Sequence, residues 1–153
     1  MRTRNVALPV DNRIISLNAS HLQVIESLLK SCNLPFEDCA EHLENFIGVI
    51  RGDKLIAIGA IQIKGSTALL RSIVVYSEMR GAGLAAEITR YLLNIAQDQG
   101  VREIYLLTET AESYFSRFGF CAVDRGAVPV EIQSTRQFSS LCPSSAQTMR
   151  LEL

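Results

Sequence analysis

The chain lacks a charge of one sign to spare: fifteen Lys and Arg stand against sixteen Asp and Glu, a formal net charge of −1. Without a basic field to gather polyanions, no nucleic-acid partner is expected. A long apolar run is missing too. The basic N-terminal stretch MRTRNVALPVDNRIISLN is interrupted by Pro9, Asp11, Asn12 and Arg13 before it reaches the length of a signal-peptide core. No later segment approaches the length of a membrane span, so no membrane partner is expected and the expected compartment is cytoplasmic. Cys32, Cys39, Cys121 and Cys142 form no C-x-x-C pair, which points to reduced thiols, and no metal site is assigned. Internal repeats, low-complexity stretches and a Pro/Gly-rich linker are also absent. What remains is 153 residues, 48% hydrophobic and 20% charged, the make-up of a single globular domain spanning 1–153.

The apolar pattern divides this domain into elements. Asn18-Ala-Ser20 caps a predicted amphipathic helix with Leu22, Ile25, Leu28 and Leu29 on one face, ended by Pro35. A short second helix is predicted over FEDCAEHLENF, with Glu37 and Asp38 in its first turn. The period then becomes strand-like. FIGVI and LIAIGAIQI flank the turn Arg51-Gly52-Asp53-Lys54, and ALLRSIVVY follows KGST, which together read as an antiparallel meander. Leu84, Ile88, Tyr91, Leu92, Ile95 and Ala96 predict a long helix closed by Gly100. A buried strand EIYLLT, a brief helix TAESYFSRF, a strand FCAVD and a final half-buried strand AQTMRLEL complete the chain. The class is mixed α/β, with one helical crossover making ALLRSIVVY and EIYLLT parallel neighbours.

Between strand and long helix lies SEMRGAGLAAEIT, with Gly81 and Gly83 where the helix must begin. A Gly-rich turn at a helix N-terminus offers free amides, and the helix dipole, to a phosphate; taken alone, it is also an ordinary turn. Neither G-x-G-x-x-G nor G-x-x-x-x-G-K-[ST] fits the spacing Arg80-x-x-Gly83-x-Ala85. That spacing does match R/Q-x-x-G-x-G/A, the acetyl-coenzyme A loop of the GNAT family of N-acetyltransferases. Downstream, AESYFSRFGF resembles the family pattern A-x-x-F-Y-x-K-x-G-F. The resemblance covers essentially the whole chain and looks closest to an arsenic-resistance N-acetyltransferase-like branch, on CNLPFEDCAEHLENF, LLRSIVV and AVPVEIQSTRQFSSLCPSSAQTM.

The resemblance implies a GNAT-type fold: a mixed, mostly antiparallel sheet with splayed central parallel strands and helices on both faces. It implies acetyl-coenzyme A as co-substrate and a small-molecule amine as partner, with a homodimer as the one macromolecular assembly in view. Backbone groups of Val74 and Val75 would pair with the pantetheine arm. The amides of Met79, Arg80, Gly81, Ala82, Gly83, Leu84 and Ala85 would hold the pyrophosphate, with Arg80 adding charge. The amine would attack the thioester directly, which calls for a base, a stabilised oxygen and an acid for the thiolate. The family's acid is the tyrosine of A-x-x-F-Y; here Phe115 stands there and the tyrosine is Tyr114, about 100 degrees round a helix. Candidate bases are Glu109, just past a strand end, and Glu78, which also reads as a solvated turn residue. His42 either helps to wall the acceptor pocket or lies on a helix surface.

Arg71 interrupts an apolar strand, on the face that alternation gives to Ile73 and Val75. A buried arginine needs a partner, either a structural carboxylate or the carboxylate of an amino-acid substrate such as glutamate. The cysteines offer a metalloid site only if two or three converge; Cys121 reads as a small core hydrophobe and Cys142 as exposed. Two functions stay open: an N-acetyltransferase, and a non-catalytic module of the same fold that senses acyl-coenzyme A or a metalloid.

Overall fold

The computed structural model describes residues 12–141, 143 and 145–153. Seven strands form one sheet: β1 (Asn12–Ser16), β2 (Phe46–Arg51), β3 (Lys54–Lys64), β4 (Thr67–Val75), β5 (Glu103–Thr108), β6 (Cys121–Ala122) and β7 (Gln147–Glu152), in the order β1-β2-β3-β4-β5-β7-β6. Every neighbouring pair is antiparallel except β4 and β5. The predicted meander is present, with the Arg51–Lys54 turn closing β2 on β3. β1 was not anticipated: its apolar pair Ile14 and Ile15 is too short a run to signal a strand, and pairing with β2 creates it.

Helices cover both faces, as the mixed class requires. α1 (Leu22–Ser31) buries Ile25, Leu28 and Leu29, and α2 (Leu84–Asp98) buries Leu84, Ile88 and Leu92. Gly100, at φ +85°, closes α2 as expected. The helix predicted over FEDCAEHLENF is not an α-helix but two 3₁₀ turns, Cys39–Glu41 and Leu43–Asn45. Asp38 turns inward to an ion pair with β4 instead of outward at a helix terminus, and that tertiary contact overrides local preference. α3 (Glu112–Ser116) occupies the predicted brief helix. FCAVD shrinks to the two-residue edge strand β6, so Cys121 is exposed rather than part of the core; the neighbouring Phe120 is the buried side chain. The tail, left without elements by the sequence pattern, forms α4 (Val130–Gln133) and a π-helical turn, Gln137–Leu141. Cys142 lies outside the described residues.

Two features of β4 shape everything that follows. First, it pairs with β5 only at Thr67–Leu69 against Glu103–Tyr105, after which the two strands part. Second, its register against β3 slips by one residue: Ile58 faces Val74 and Ala60 faces Arg71, so Ser72 and Ile73 together oppose Gly59. Ser72 sits at φ +64°, a left-handed conformation uncommon outside glycine. Gly59 is required on the other strand, since a Cβ there would lie 2.5 Å from Cγ2 of Ile88 in α2. This bulge corrects the expected facing of Arg71. Leu70, Ile73 and Val75 pack on the α2 side of the sheet, whereas Arg71 points to the α1 side, beside Asp38 and Gln62.

Candidate active site

Where β4 and β5 separate, a cleft of about 710 Å³ opens. Its floor comes from Leu70 to Ile73 of β4 and Leu106 to Thr108 of β5, its roof from Asn33 to Glu37, and its far wall from Phe115 and Gln137. The β4 backbone bordering it has unspent hydrogen-bonding groups. Tyr76 N–H donates to Ile56 C=O at 2.8 Å, which makes Val75 a non-bonded position of the β3–β4 ladder and Val74 a bonded one. Val74 therefore turns its N–H and C=O to β3, and Val75 turns its own away from β3. Of the two residues expected to meet a pantetheine arm, the ladder occupies Val74 and leaves Val75 its N–H, the Val75 C=O accepting from Arg80.

At the end of β4 the chain makes a 3₁₀ turn, Ser77–Met79, and then the glycine loop. Gly81 and Gly83 have φ of +89° and +80°, and a Cβ at either would meet nothing within 4 Å. The glycines thus serve the backbone path and leave open space above it. The first backbone bond of α2 runs from Glu87 N–H to Gly83 C=O at 3.0 Å. Among the described residues the amides of Gly81 to Ala86 have no hydrogen-bond acceptor, and no side chain caps the helix. Six free donors with a helix dipole behind them form an anion cradle. Arg80 borders it, with Nε donating to Val75 C=O at 3.2 Å and Nη2 3.6 Å from Cys32 Sγ.

Arg71 is sealed under the cleft. Nη1 and Nη2 donate to the two oxygens of Asp38 at 2.5 and 2.7 Å, and both side chains are 1% exposed. The forked contact offered to a substrate carboxylate is made inside the protein instead. Burial pushes the Asp38 carboxyl up, but the hydrogen bonds and charge of Arg71, with a smaller contribution from His42, hold it below its ordinary value. His42 Nε2 stands 3.8 Å from Asp38 Oδ2, on the outer side of the pair and away from the cleft lining.

A parallel pair that splays over a free-amide loop is an arrangement with known counterparts. Residues 17–120 match the Acetyltransferase (GNAT) family. The chain belongs to this family. The family is one of acetyltransferases. Among curated proteins, N-alpha-acetyltransferase 30 of Schizosaccharomyces pombe is 31% identical over 86 residues, 54% of this chain and 55% of that one. The chain thus spans about half the length of this relative. Among solved structures, N-acetylglutamate synthase from Neisseria gonorrhoeae, complexed with coenzyme A and N-acetyl-glutamate, superposes with a TM-score of 0.81 at 13% identity, over 97% of this chain and 36% of that one. Rv2747 from Mycobacterium tuberculosis, in complex with coenzyme A, gives 0.76 at 20% identity, over 92% and 99%.

Within this GNAT fold the remaining candidates separate. Glu109 is exposed and lines the cleft just beyond β5; Glu78 is exposed in the turn before the loop and does not line it. Phe115 lines the cleft, while Tyr114 packs its ring against Phe115 and Phe118 at centroid distances of 5.1 and 5.4 Å. The Tyr114 hydroxyl is buried with no hydrogen-bond partner among the described residues. The tyrosine has therefore moved into the packing position of A-x-x-F-Y, and its hydroxyl is a liability there. Tyr114→Phe is expected to keep turnover within about tenfold of the unsubstituted protein and to raise thermal stability by up to about 1 kcal/mol. Steady-state kinetics and a melting curve on the same sample check both.

Gln137 and Asp38 are the site residues that sequence reasoning missed. Gln137 comes to the cleft on the unanticipated π-helical turn, and Asp38, expected in the first turn of a helix, is buried instead. A lone buried arginine implied a carboxylate, but nothing local said which one.

Proposed function

We propose that this chain is an N-acetyltransferase that passes the acetyl group of acetyl-coenzyme A directly to a small primary amine. The observation that carries this reading is the joining of the free-amide loop to the splayed cleft. An anionic pyrophosphate on the free amides of Gly81 to Ala86 leaves an attached arm directed along the Val75 edge of β4; the Met79 and Arg80 amides expected to join them are spent on the carbonyls of Tyr76 and Ser77. The thioester then reaches the floor near Ser72 and Ile73, with the acceptor under the Asn33 to Glu37 roof. Glu109, at the cleft mouth, takes the amine's proton through water. The leaving thiol is acidic enough to depart as thiolate, so Phe115 in the acid's place weakens proton delivery without stopping transfer.

The chain acts as a single domain over 1–153, in the cytoplasm, on a small molecule rather than nucleic acid or membrane. The balanced charge supports this, as does the lack of any helix among the described residues long and apolar enough to cross a membrane. A glutamate-like acceptor has lost its proposed anchor, because Arg71 is committed to Asp38. Lys30, exposed at the rim with its ammonium 4.7 Å from the Phe36 ring centroid, is the other cation lining the cleft among the described residues and is proposed for an acceptor carboxylate. The metalloid-sensing alternative needs converging thiolates. Cys39 is fully buried with its thiol pushed up to about 11, first of all by burial, and Cys121 sits on the edge strand β6, whereas Cys32 and Cys39 belong to the core cluster of α1 with β2, β3 and β4.

A coenzyme A thiol-release assay over L-glutamate, glycinamide, putrescine and tyramine tests the proposal. Release with at least one amine is expected, and Glu109→Gln should lower kcat/KM about tenfold. Acetyl-coenzyme A binding without release for any amine would favour the sensing module, and absence of binding would end both readings.

A further inference from the structure

The acyl-transfer reading leaves the Asp38–Arg71 pair without a task. A buried ion pair is weak evidence for stability, since apolar side chains of similar volume often do as well. Its contacts, however, run to two parts of the cleft. Asp38 follows directly on the roof segment Asn33 to Glu37. On the other side, Arg71 Nε donates to Ser72 Oγ at 3.0 Å, and Ser72 is the left-handed bulge residue in the floor. Gln62 Oε1, 3.4 Å from Nη1, steadies the guanidinium from β3, and His42 closes the outer side of Asp38.

We propose that Asp38 and Arg71 are positioning residues for the acceptor side of the cleft: Asp38 ties the roof to β4, and Arg71, through the Ser72 hydroxyl, holds the bulge. The bulge matters because it decides which residues of the upper half of β4 present side chains and backbone groups to the cleft. A slip of one residue exchanges the faces of everything from Ser72 to Val75. Serine at φ +64° does not hold that conformation by preference, whereas glycine would; the hydrogen bond from Arg71 supplies what the backbone lacks.

This inference rests on the acyl-transfer reading for its kinetic readout but not for its structural one. The test uses the full chain with Ser72→Ala, Ser72→Gly, Arg71→Lys and the Ser72→Gly/Arg71→Lys pair. Acetyl-coenzyme A is the donor, and the acceptor is whichever of glutamate, glycinamide, putrescine and tyramine turns over fastest. Ser72→Ala, which loses the anchor but keeps the left-handed strain, is expected to lower kcat/KM for the amine about tenfold or more with little change in melting temperature. Ser72→Gly should recover most of that loss, and Arg71→Lys should cost less in its background than alone.

Equal losses for Ser72→Ala and Ser72→Gly would overturn the proposal, because the hydroxyl and not the bulge would then matter. So would an Arg71→Lys protein that loses thermal stability with unchanged kinetics. If no amine releases thiol, the acyl-transfer reading fails by itself, and hydrogen exchange decides the positioning claim. Faster exchange at Ser72 to Val75 in Ser72→Ala than in Ser72→Gly supports it, and identical exchange overturns it.

Discussion

Gly83→Val will lower the affinity for acetyl-coenzyme A by at least about a hundredfold, roughly 2.7 kcal/mol. Two effects add. At φ +80° a β-branched residue is a steric outlier, so the loop must change its path and its amides lose their convergence. The space above Gly83 is also empty to 4 Å, and a branched side chain would fill the volume a phosphate needs. Hydrogen bonds from free amides to a charged oxygen contribute about 1.5–3 kcal/mol each, so losing one or two accounts for the figure. Titration calorimetry measures it, with circular dichroism showing that the variant is folded. A folded Gly83→Val protein that binds acetyl-coenzyme A as before would remove the loop from the mechanism.

The second large effect is on stability. Asp38→Ala leaves the Arg71 guanidinium buried with neutral partners, Ser72 and Gln62, in place of a carboxylate, and should cost about 3–5 kcal/mol, a fall of roughly 10 °C or more in Tm for a domain of this size. Asp38→Asn, which keeps the shape and one acceptor oxygen, should cost less. The pH dependence has a definite sign. The folded-state Asp38 carboxyl titrates below its ordinary value of 3.8, so its stabilisation is complete above that value and is lost as pH falls through the folded one. Glu103, held low first of all by its hydrogen bond with Arg150, adds to the same trend. Urea unfolding at pH 3 and pH 6 should therefore show a smaller drop on acidification for Asp38→Asn than for the parent, and an equal drop would contradict the linkage.

Features written in local pattern were legible in the sequence. The meander, α2 and the glycine loop each follow from short-range periodicity and turn residues, and the structure places them within a residue or two of expectation. What depended on distant contacts was not legible. β1 exists because β2 offers it an edge, and the segment after Pro35 is not an α-helix because Asp38 is drawn to a cation in β4. The face of Arg71 was misread for a sharper reason: alternation assumes an unbroken ladder, and one extra residue at Ser72 reverses the assignment beyond it. The arginine's need for a carboxylate was readable; whether that carboxylate was internal depended on tertiary geometry.

The three-residue parallel contact between β4 and β5 has a kinetic meaning. β1 to β4 are consecutive along the sheet, with two tight hairpins from β2 to β4 that close short loops, while the joint to β5 must wait for the glycine loop and all of α2 to be laid down. Pairings across such long separations form slowly, because chain entropy is lost before the contact returns anything. The cleft lies at the seam closed by this late event. A ligand that spans the seam binds only the joined form, so acetyl-coenzyme A should slow the unfolding of this seam more than that of the hairpins.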